Sequence, residues 1–75
     1  MEKFGSNLPI TIDPETLGGV PVFRGTRVPV ATLFEYLEDN YSLEEFLDEF
    51  PSVTHEAVVT VLESAERFTL EHVAA

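Results

Sequence analysis

One apolar spacing recurs through the second half of this chain, and each repeat is bracketed by helix-ending and helix-starting residues. Val30, Leu33, Phe34 and Leu37 fall at i, i+3, i+4 and i+7, the stripe of a helix with one buried face. Asn40 is a C-terminal stop, since asparagine tolerates the left-handed conformation that ends helices. Ser42 and Glu45 then form a capping-box pattern. Leu43, Phe46, Leu47 and Phe50 repeat the stripe, and Pro51 ends it. Thr54 caps a third helix, whose inward stripe is Val58, Val61, Leu62, Ala65 and Phe68 and which runs to about Val73. A short helix, the connection Pro51-Ser52-Val53 and a longer helix are the elements of a helix-turn-helix.

The first half reads as extended chain and turns. Leu8, Ile10 and Ile12 alternate with Pro9, Thr11 and Asp13, the period of a half-buried strand. Asp13-Pro14-Glu15-Thr16 is a turn or a single helical turn, broken by Gly18-Gly19. Val20-Pro21-Val22-Phe23 resumes the extension, with prolines that fit an edge strand. Arg24-Gly25-Thr26-Arg27 is a tight turn in which Gly25 supplies a positive φ, and Val28-Pro29 continues extended. The expected fold is α+β and mainly helical. A short β-region, residues 8–29, precedes a three-helix helix-turn-helix half, residues 30–73, of winged or homeodomain-like type, all within one domain spanning residues 1–75.

A domain of 75 residues buries only about 60% of the surface of its unfolded chain. With no cysteine, neither disulfides nor a thiolate zinc site can reinforce it, so a homodimer or an obligate partner is expected. High apolar content with strong periodicity argues against disorder. Fourteen Asp and Glu face four Lys and Arg, a net charge of −10, which repels polyanions and disfavours DNA. No apolar run approaches the roughly 20 residues of a membrane span, and the N-terminal residues lack the apolar region of a signal peptide. A cytoplasmic location is the expectation.

The candidate functional residues start with the Arg24–Arg27 turn. Three readings of its arginines stand open. They pair with surface carboxylates; they contact a carboxylate-lined partner site or a phosphate; or Arg27 locks the β-region onto the helices through a buried pair. Gly18, Gly19 and Gly25 lack the strand–loop–helix context of a phosphate cradle. The outward residues of the third helix, Thr54, His55, Glu56, Val59, Thr60, Glu63 and Glu66, include none of the Arg, Lys, Asn or Gln that read base edges. His55 and His72 are 17 residues apart on one helix, roughly 25 Å at the helical rise, so one chain cannot bring both to a metal or haem. The clusters Glu35, Glu38, Asp39 and Glu44, Glu45, Asp48, Glu49 lie on polar helix faces with no nucleophile–base pair beside them, so no enzymatic activity is expected. Val59, Leu70 and Val73 are spare apolar positions suited to a partner seam.

Ile12-Asp13-Pro14, the string Gly18-Gly19-Val20-Pro21-Val22-Phe23-Arg24-Gly25-Thr26-Arg27-Val28-Pro29-Val30, then Ser42-Leu43-Glu44-Glu45-Phe46 and Pro51-Ser52-Val53-Thr54, resemble the domain-of-unknown-function 433 family over about residues 10–66. The resemblance implies a helix-turn-helix domain with a short preceding β-region. It also implies an antitoxin of a type II toxin–antitoxin pair that holds a PIN-like ribonuclease inactive. The expected partner contacts are Arg24, Gly25, Thr26, Arg27, Val59, Leu70 and Val73, with no cofactor and no metal. The alternative is a dimeric DNA-binding regulator using Lys3, Arg24, Arg27, Thr54 and His55. A further alternative is a haem- or ligand-binding accessory protein using His55 or His72 across a dimer.

Overall fold

The structure, a computed structural model, describes residues 8–15 and 17–73. In chain order its elements are β1 (Ile10–Thr11), a 3-10 turn (Leu17–Gly19), β2 (Val22–Phe23), α1 (Val30–Glu38), α2 (Leu43–Glu49) and α3 (His55–Val73). The strands pair antiparallel, Ile10 opposite Phe23 and Thr11 opposite Val22. The mainly helical α+β architecture is the one the apolar spacing predicts.

The β-region is shorter than the alternation of Leu8, Ile10 and Ile12 predicts. Pairing stops at Thr11, and Ile12 is 66% exposed rather than half-buried. The cause is Asp13, whose Oδ1 accepts from the Glu15 amide at 2.9 Å and turns the chain away from the ladder. Thr16, the last residue of the predicted turn, lies outside the described residues.

Phe23 and Arg24-Gly25-Thr26 form the tight turn. The Thr26 amide donates to the Phe23 carbonyl at 2.9 Å, and Gly25 has φ 81°. An i to i+3 bond with positive φ at the third residue is a type II arrangement, which a Cβ would strain even though open space surrounds that position. The Thr26 hydroxyl donates to the Phe23 carbonyl at 2.8 Å and accepts from the Val28 amide at 3.0 Å. Thr26 therefore fixes the turn from inside.

Among the described residues no side chain caps α1. The Val30 amide instead donates to the Pro21 carbonyl at 3.0 Å, so the β-region closes the helix start. At the other end Asn40 takes φ 73°, its amide bonds to the Leu37 carbonyl, and the Tyr41 amide bonds to the Tyr36 carbonyl, the paired bonds of a Schellman stop. The Ser42–Glu45 capping box forms in both directions, at 2.7 and 3.0 Å. Thr54 Oγ1 accepts from the Ala57 amide at 3.0 Å and starts α3.

The core is one cluster of Phe23, Leu33, Phe46, Val53, Val58 and Val61. Phe46, fully buried, is its centre, with the rings of Phe23, Tyr36 and Phe50 at 6.2, 5.6 and 5.1 Å. Of the predicted α3 stripe, Val58 and Val61 are buried and Leu62 and Ala65 half-buried. Phe68 is not part of the core: it is 59% exposed. The reason is length. α3 has 19 residues, about 28 Å, while α1 and α2 have nine and seven, about 14 and 10 Å, so neither is long enough to cover its whole length.

Candidate partner-binding surface

Between α3, α1 and the chain at β1 lies an open groove of about 380 Å³. Leu8 and Ile10 form one wall, Val30 and Phe34 of α1 another, and Val61, Ser64, Ala65, Phe68 and Thr69 of α3 the third. Among the described residues no lining side chain carries a charge. Ile10, Val30 and Phe34 also pack on the core, so the groove floor is an extension of the interior. At its open end the Phe68 ring stacks on His72 at 3.9 Å, and His72 Nδ1 lies 2.8 Å from the Phe68 carbonyl. This contact holds one face of Phe68 while the rest stays exposed.

The residues expected from the sequence to meet a partner do not gather here. Leu70 lines a shallow acidic cleft with Glu63, Glu66 and Arg67. Val59 precedes Glu63, Glu66 and Leu70 at helical spacing, so it shares that face, across the helix from Val61 and Phe68. Leu70 and Val73 are 58% and 70% exposed, and Val59 is half-buried. α3 therefore presents two apolar sides, and the concave one was missed. Its signal was the surplus length of the third helix over the two before it.

The two arginines of the turn part company. Arg24 Nη2 donates to the Leu8 carbonyl at 2.7 Å and reaches the Ile10 carbonyl at 3.4 Å, and its backbone amide donates to the Pro9 carbonyl at 2.8 Å. So Arg24, not Arg27, is the residue that braces the β-region, and it does so through carbonyls. Arg24 also borders a cleft with Pro9, Thr54, Glu56 and Thr60. Exposed Arg27 lies in a separate depression with Gly25, Val28, Phe50 and Ser52. Lys3 lies outside the described residues. His55 is exposed at the start of α3, and Thr54 is engaged as its cap.

Half-buried Tyr36 stacks on Tyr41 at 4.8 Å in an acidic cleft with Glu45, Asp48 and Glu49. Burial, then the Glu49 carboxylate, then Tyr41 hold its phenol above the usual tyrosine range. Among the described residues no group of three or more His, Asp or Glu side chains is placed to hold a metal ion. None of the described helices is long and apolar enough to cross a membrane.

Fold and surface together define an α+β domain of three helices and a short antiparallel sheet, with an apolar groove along its longest helix. The chain belongs to the family described as "Protein of unknown function (DUF433)", whose family model matches residues 10–65. It is similar to a crystal structure of a DUF433 member protein from Anabaena variabilis, with a TM-score of 0.69 and 33% identity over 81% of this chain and 60% of that one. It is also 41% identical over 49 residues to the uncharacterized protein y4eO of Sinorhizobium fredii. That stretch is 65% of this chain and 22% of the relative, so the chain spans about a fifth of that protein's length.

Proposed function

We propose that this chain is the antitoxin of a type II toxin–antitoxin pair, a module without chemistry of its own that occludes a PIN-like ribonuclease. The observation that carries this reading is the far half of α3, where Phe68 stands exposed on the groove side and Leu70 and Val73 stand exposed on the opposite side. Exposed apolar residues along one helix are anchors for a partner. The net charge of −10 supports the same reading. A ribonuclease handles a polyanion and so presents a basic surface, to which an acidic module is complementary. The family resemblance supplies the ribonuclease class.

Operator binding by a dimer has less support. Arg24 and Thr54 are engaged in holding the fold, and Glu56, Glu63 and Glu66 line the exposed length of α3. Co-expression with the product of the adjacent gene tests the proposal. The two are expected to co-purify, with RNA cleavage suppressed in the complex. Separate elution with undiminished cleavage would overturn it.

A further inference from the structure

We infer that the groove between Ile10, Phe34 and Phe68 receives a basic amphipathic segment of a partner protein, most simply a helix carrying lysine or arginine beside its apolar face. The inference rests on the antitoxin reading and deepens it by naming the contact.

Two observations select this occupant. The groove is mainly apolar, with Ser64 and Thr69 as its polar lining among the described residues, and runs along α3 from Val61 to Thr69, about 12 Å, the length of two helical turns. An apolar stripe of a helix fits such a trough with anchors at i, i+3 or i+4 and i+7. The second observation is charge. Exposed Glu38 stands one turn beyond Phe34, and exposed Glu71 three residues beyond Phe68, so by helical spacing carboxylates continue the two helical walls of the three. A second copy would bring another net −10 against these carboxylates. A basic segment would meet opposite charge there, which speeds encounter and fixes orientation.

The test uses the full chain and a labelled amphipathic peptide of about 18 residues, five helical turns, with leucines on one face and lysines on the other. A matched peptide carries glutamates in place of the lysines. Binding is followed by fluorescence anisotropy at about 0.15 M salt, where distant surface charges are screened, and mapped by amide chemical shifts. The lysine peptide is expected to bind and to shift Ile10, Phe34, Val61 and Phe68, while the glutamate peptide does not. Phe68→Ala should weaken binding about tenfold, as loss of a central aromatic anchor does, with an unchanged circular dichroism spectrum. Leu17→Ala, an exposed apolar truncation in the 3-10 turn outside the groove, should leave binding intact.

Shifts confined to α2 or to the Leu70 face would overturn the inference. So would equal binding of the two peptides, or a dimer in sedimentation that Phe68→Ala dissolves, which would put a second copy in the groove. Peptide binding that appears only when residues before Leu8 are removed would also overturn it, since the chain's own N-terminal segment would then be the occupant. The two readings separate cleanly. Groove binding without inhibition of the adjacent-gene nuclease leaves this surface standing and removes the antitoxin reading. Equal inhibition by wild type and Phe68→Ala does the reverse.

Discussion

The Arg24 guanidinium donates to the carbonyl of Leu8 at 2.7 Å, across 16 residues of sequence. The bond closes the β-region over the side of the groove that Leu8 and Ile10 supply. Because Arg24 is exposed, its net contribution is modest, about 1 kcal/mol. Arg24→Ala is expected to lower the urea midpoint by about that much and to speed amide exchange at Ile10 and Thr11. Arg24→Lys should recover part of it, since both contacts come from the single nitrogen Nη2 and an ammonium also carries several donors on one nitrogen. Unchanged exchange in Arg24→Ala would show that the β1–β2 pairing stands without it.

Phe46 is fully buried and packs against three other rings, so Phe46→Ala is the most damaging single truncation of the fold. The expected loss is about 3–5 kcal/mol. A chain of this length has roughly 4–11 kcal/mol of total stability, so the variant should lose a large share of it and melt at a markedly lower temperature. Thermal melting followed by circular dichroism reads this directly. A cooperative melt near the wild-type midpoint would contradict the placement of Phe46 at the centre.

The capping box sets a smaller effect. Ser42→Ala removes the acceptor of the Glu45 amide and should cost about 1 kcal/mol. Ser42→Asp should restore most of it, because a carboxylate caps the same amide and suits a helix N-terminus. The comparison of the two urea midpoints separates loss of the cap from loss of packing.

How far the sequence reaches is visible element by element. The stops of α1 and α2 and the starts of α2 and α3 were legible because they are local: Asn40, Ser42 with Glu45, Pro51 and Thr54 each act within one turn of the backbone. The end of β1 was misjudged because the alternation of Leu8, Ile10 and Ile12 competes with the side chain of Asp13, and the turn prevails. The role of Arg24 was not legible, since its partners are carbonyls, which every residue carries and no pattern marks. Phe68 obeys the helical period of the core yet stands outside it, because periodicity gives a side chain's direction and says nothing of whether a neighbour reaches that far.

Tyr36 gives the fold an alkaline dependence. Its folded phenol holds the proton more tightly than an unfolded one, chiefly through burial, then through Glu49 and Tyr41. That stabilising difference is fully present below about pH 10, the unfolded value, and is lost as pH rises through the higher folded value. In Tyr41→Phe, where Tyr36 is the only tyrosine left, tyrosinate absorbance should appear above the free-tyrosine range. Adding Glu49→Gln should move it down. A titration unaffected by Glu49→Gln would remove that carboxylate as a cause.

The proposal that this chain neutralises a ribonuclease is tested most directly by titrating it into the purified product of the adjacent gene, with RNA cleavage as the readout. The account predicts a linear fall in cleavage that reaches its floor at a fixed stoichiometric ratio, with Phe68→Ala requiring a clear excess to achieve the same effect. Cleavage that continues undiminished at large excess of the folded chain would contradict it.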